Sequence, residues 1–132
     1  MSIIAIDYGG KRIGIAVSDS GVLATPHSVI VNQGDVLSKL AGLGKQLDVE
    51  TWVVGIPKRA RSTAGEATFR AFAEALRQKT CTPVELWDET LTTVAAEERL
   101  RQSGRKRRDD IDMYAAAVIL QSYLDERARR TS

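Results

Sequence analysis

One cysteine and one histidine are all the soft or borderline metal-binding chemistry in this 132-residue chain. Cys81 alone can form no internal disulfide, and with His27 it builds neither a cysteine zinc site nor an HExxH helix. Any metal ion would therefore rest on carboxylates. Long apolar runs are also missing. The longest are a handful of residues against the ~20 needed to cross a bilayer, and the first residues lack the basic-then-apolar layout of a secretory leader. The expectation is a cytoplasmic protein with no membrane partner. Aromatics make up only 5%, and Trp52 and Trp87 fall in apolar strand segments that read as core, not as platforms for stacking bases. A net charge of +2 does not by itself announce a nucleic-acid partner.

What remains is an ordinary globular composition, 43% hydrophobic and 27% charged, long enough to bury about two-thirds of its unfolded surface around one core. A single domain over 1–132 is expected. Two β-branched segments, 3–7 and 13–18, flank Gly9-Gly10 and read as a hairpin, with a third strand beginning near Pro26. Leu37, Leu40, Leu43 and Leu47 then recur at helical spacing. "TWVVGIP" reads as a buried strand, Ala64 to about Lys79 as an amphipathic helix with Phe69, Phe72, Ala73 and Leu76 on one face, and "PVELWD" as a fifth strand. Thr92 or Thr93 can cap a helix ending at Gly104, and Asp110 a last helix from Ile111 to about Arg127. The order β-β-β-α-β-α-β-α-α predicts an α/β fold similar to ribonuclease H: a mixed five-stranded sheet with helices on both faces.

Acids stand where elements end or begin: Asp7 at the end of the first strand, Asp88 and Glu89 at the end of the fifth, and Asp112 in the first turn of the last helix. Ligands of open α/β sheets gather outside the carboxyl ends of parallel strands. Carboxylates there can hold Mg²⁺ or Mn²⁺ without histidine. Each acid also has a plainer reading: Asp7 as a turn residue, Asp112 as an acid at a helix N-terminus. Gly9, Gly10 and Gly14 would let backbone approach a phosphate, with Lys11 or Arg12 meeting its charge. Cations cluster at Lys58, Arg59 and Arg61, and at Arg105, Lys106, Arg107 and Arg108, which is either a solvated surface or a phosphate-binding rim.

Four segments, "IDYGGKRIGIAVSD" at 6–19, "VVGIP" at 53–57, "WDETLTT" at 87–93 and "IDMYAAAVILQSYL" at 111–124, together resemble the bacterial YqgF/RuvX family. Its members are Holliday junction resolvase-like proteins proposed to act as pre-16S rRNA nucleases. The resemblance covers almost the whole chain. It implies a metal-dependent nuclease using Mg²⁺ or Mn²⁺ held by Asp7, Glu89 and Asp112, with Asp88 a competitor of Glu89, acting on an RNA precursor or branched DNA. Two departures touch substrate contacts: Thr90 stands where the family usually has arginine, and "PKRARS" where it has a "PLNMDG"-like stretch. A second reading is a nucleic-acid-binding ribosome-assembly factor with little catalysis. An Asp-x-Gly turn also occurs in actin- and hexokinase-like phosphotransferases, but those duplicate the domain and this chain holds one copy. The oligomeric state is left open.

Overall fold

A computed structural model of the protein describes residues 1–57, 60, 64–89, 92, 94–104 and 111–131. The elements run β1 (Ser2–Tyr8), β2 (Arg12–Ser18), β3 (Thr25–Val31), α1 (Val36–Gln46), β4 (Val49–Ile56), α2 (Ala64–Thr80), β5 (Val84–Asp88), α3 (Val94–Gln102) and α4 (Ile111–Thr131). The strands form one sheet in the order β3-β2-β1-β4-β5. β1 pairs antiparallel with β2 and β2 with β3, while β1–β4 and β4–β5 are parallel. The mixed α/β sheet expected from the sequence is the one observed.

Both faces of the sheet are covered, which is why β1 is apolar at successive positions and does not alternate. Ile3, Ala5, Ala16 and Val53 meet Ala116, Ala117, Leu120 and Leu124 of α4, with Leu100 of α3 behind them. Ile4, Ile6, Ile13, Ile15, Trp52 and Val54 meet Val36 and Leu40 of α1 and Ala73 and Leu76 of α2. α1 begins at Asp35, whose carboxylate accepts from the Ser38 N–H at 3.1 Å and the Ser38 hydroxyl at 2.6 Å. These bonds hold the Asp35 carboxyl below its ordinary range. Glycine inside this helix costs helix propensity, but a Cβ on Gly44 would stand 2.8 Å from the Trp52 ring. The glycine lets α1 lie directly on the indole.

α4 is longer than expected. It runs to Thr131, past the predicted end near Arg127, because Glu126 pairs with Arg129 at 2.6 Å and Arg130 at 3.3 Å along its last turns. It is buried around its whole circumference from Ala116 to Leu124. Gln121, fully buried, is satisfied by the loop before β3: its Oε1 accepts from the Ala24 N–H at 2.9 Å, and its Nε2 donates to the Val22 carbonyl at 2.9 Å and to Asp125 at 3.0 Å. Asp125 in turn meets Arg99 of α3 at 3.0 Å.

Of the expected helix caps, Thr92 donates its hydroxyl to the Glu89 carbonyl at 2.8 Å, closing the turn after β5. Thr93, Asp110 and the basic loop before α4 lie outside the described residues. Cys81 is exposed just past α2, and Trp52 is fully buried. No helix among the described residues is long and apolar enough to cross a membrane.

Candidate active site

Side chains alternate along a strand, so Asp7 shares the α4 face with Ile3 and Ala5 of β1. Its cross-strand partner in β2 is Gly14. The first turn of α4 fills the space a side chain at Gly14 would need. A Cβ there would lie 2.0 Å from the Asp112 carbonyl oxygen and 3.0 Å from the Met113 nitrogen. The Asp112 backbone therefore rests on the strand residue paired with Asp7. Consecutive alanines, with Ala116 and Ala117 fully buried, allow the helix to come so close. One sheet position thus brings together two of the acids singled out in the sequence.

Neighbouring contacts fix the ends of these strands. The Gly9 N–H donates to the Arg12 carbonyl at 3.0 Å across the β1–β2 turn. Asn32, just past β3, donates its side-chain amide to the Gly9 carbonyl at 2.8 Å and its N–H to the Lys11 carbonyl at 2.9 Å. The sequence reading did not single out Asn32; a lone Asn at a strand end has no signal until the third strand is known to lie beside the turn. On the other face, Tyr8 stacks on Phe72 at 4.0 Å and meets Phe69 edge-on at 5.9 Å, anchoring the chain next to Asp7. Arg12 opens β2 on the α4 face, and its Nε lies 3.0 Å from an Asp112 carboxylate oxygen.

β5 separates the two remaining acids. Trp87 pairs in register with Gly55 and Asp88 with Ile56. Trp87 lies on the α4 side, edge-on to Tyr123 at 5.7 Å. Asp88 shares the opposite side with Ile56, which packs with Phe69 of α2. Glu89 is exposed directly after the strand. Among the described residues, no three Asp, Glu, His or Cys side chains come close enough to hold a metal ion. The carboxylates at this end suit a hard cation in donor type, and Asp7 and Asp112 are juxtaposed through Gly14, but among the described residues no third acid, His or Cys is gathered with them.

Lys11 is exposed on the β1–β2 turn. Lys58, Arg59, Arg61, Arg105, Lys106, Arg107 and Arg108 lie outside the described residues; their segments adjoin Pro57, at the carboxyl end of β4, and Ile111, at the start of α4. A cleft of about 560 Å³ bounded by Gly44, Lys45, Asp48, Lys79 and Thr80 lies at the opposite end of the sheet. Its lysines fall in the last turns of α1 and α2, where helix carbonyls favour cations.

Comparison with known proteins finds relatives along nearly the whole chain. Residues 1–126 match the family described as "RuvX: Holliday junction resolvase". A protein of Syntrophus aciditrophicus named "Putative pre-16S rRNA nuclease" is 43% identical, over 95% of this chain and 89% of its own. Another of that name from Symbiobacterium thermophilum is 44% identical, over 98% and 96%. In fold, the chain is similar to Thermus thermophilus RuvC solved with a Holliday junction substrate, with TM-score 0.72 at 14% identity over 97% of this chain and 96% of that one. With the match running from the first strand through most of the last helix, the chain belongs to the RuvX family.

Proposed function

We propose that the protein is a metal-dependent nuclease that hydrolyses phosphodiester bonds in a ribosomal-RNA precursor, with four-way DNA junctions as a further substrate. The observation that carries this reading is the placement of Asp112 over Gly14, the partner of Asp7. Asp7, Asp112 and Glu89 would hold Mg²⁺ or Mn²⁺. Two such ions, when bound, supply an activated water and stabilise the leaving oxygen of a phosphodiester. Asp88 shares the face of Ile56, away from Asp7, which supports Glu89, outside the strand's alternation in the turn after β5, as the third ligand. Lys11 and Arg12, with the basic segments 58–61 and 105–108, meet backbone phosphates and orient the strand to be cut.

One observation favours a second reading, a nucleic-acid-binding ribosome-assembly factor with little turnover: the described residues gather no three-acid cluster. Cleavage of labelled pre-16S rRNA, single-stranded RNA and a four-way DNA junction in Mg²⁺, Mn²⁺ or EDTA, by wild type and Asp7→Asn, separates the two. Metal-dependent cutting lost in a folded Asp7→Asn protein is the expected result. Salt-sensitive binding without cutting would replace it with the assembly-factor reading.

A further inference from the structure

Arg12 and Asp112 come from opposite ends of the chain, yet they form an ion pair at the centre of the candidate site. The Asp112 side chain is 26% exposed and that of Arg12 is 66% exposed. A carboxylate so largely covered needs a counter-charge. The arginine backbone is fixed, its carbonyl accepting from Gly9 and its residue paired with Val31 in β3. Its long side chain is not enclosed and can turn outward without moving the strand.

We infer that Arg12 is the resident counter-ion of Asp112 and exchanges with the divalent cation. When a cation takes Asp112, the guanidinium is released toward nucleic-acid phosphate. This rests on the reading of Asp7 and Asp112 as metal ligands. A guanidinium and a divalent cation on one carboxylate repel each other, so Arg12 lowers metal affinity in the absence of substrate. A phosphate that draws Arg12 away restores that affinity, and by reciprocity the metal strengthens phosphate binding. Metal and substrate then favour each other's arrival through one side chain.

The test reads metal binding without turnover. Mn²⁺ affinity is measured by electron paramagnetic resonance for wild type, Arg12→Gln and Asp7→Asn, each checked for folding by circular dichroism. The Arg12 Nε–H resonance, identified by its loss in Arg12→Gln, is followed in wild type as Mg²⁺ is added. Arg12→Gln should bind Mn²⁺ about five-fold more tightly, the scale of a partly exposed ion pair, and the wild-type resonance should shift as Mg²⁺ binds. If Arg12→Gln binds Mn²⁺ no more tightly while Asp7→Asn loses it, the exchange is overturned and the metal-site reading stands. If Mn²⁺ binding is absent, or indifferent to Asp7→Asn, the metal-site reading falls and the exchange with it.

Discussion

Replacing Gly14 by alanine tests the joint between Asp7 and Asp112. The new Cβ would sit 2.0 Å from the Asp112 carbonyl oxygen, whereas real Cβ atoms essentially never come within 3.0 Å of a neighbour. The obstructing atoms are backbone, so no rotamer change relieves the clash. Either the start of α4 or the start of β2 must move by at least about 1 Å, the difference between those two distances. Forcing such a shift on a well-packed contact costs about 1–3 kcal/mol, a fall in melting temperature of roughly 5–10 °C for a domain of this size. A misplacement of about 1 Å at reacting groups can cost about 100-fold in rate. Gly10→Ala is the internal control, because nothing lies within 4 Å of its Cβ position; it should stay within about 0.5 kcal/mol of wild type. Urea denaturation and metal-dependent cleavage of the two variants and wild type decide the matter. A Gly14→Ala protein as stable and as active as Gly10→Ala would refute the claim that this contact sets the site.

Gln121→Leu leaves the Ala24 N–H without its acceptor. It should cost about 2 kcal/mol, and hydrogen exchange at Ala24 should quicken more than that of amides within β1. Burial first, then the hydrogen bond Tyr123 donates to Glu85, push the tyrosine from 10.0 to about 12. The folded protein thus keeps a proton that the unfolded chain releases. This contribution to stability is whole below pH 10 and is lost as the pH rises toward 12. Urea midpoints across that window should fall in wild type and fall less in Tyr123→Phe.

Local pattern was enough for the strands and for α1 and α2, because β-branched runs and Leu spacing report burial over a few residues. α4 was harder. Its presence was visible, but the burial of Gln121 was not, because the partners that satisfy it come from the distant loop carrying Val22 and Ala24. The extension past Arg127 could have been read from the spacing of Glu126, Arg129 and Arg130. At the site, the carboxylates were visible as acids at element ends. The face of Asp88 was not, because it depends on the register of β5 against β4. Arg12 was singled out only for phosphate contact. Its pairing with Asp112 spans most of the chain and has no local signature.

The helix that roofs β1, β2 and β3 is the last element in the sequence, and Gln121 joins it to Ala24 across 97 positions. On the ribosome, the opening meander is made first and keeps one apolar side uncovered until residues 111–124 have emerged. Contacts of such long range slow folding, and they also set the order of events. Asp7 is made with the opening strands, but Asp112 reaches its partner Gly14 only once α4 has been made. A chain that stops short of α4 therefore lacks both the cover over its opening strands and one of the two acids that meet at Gly14.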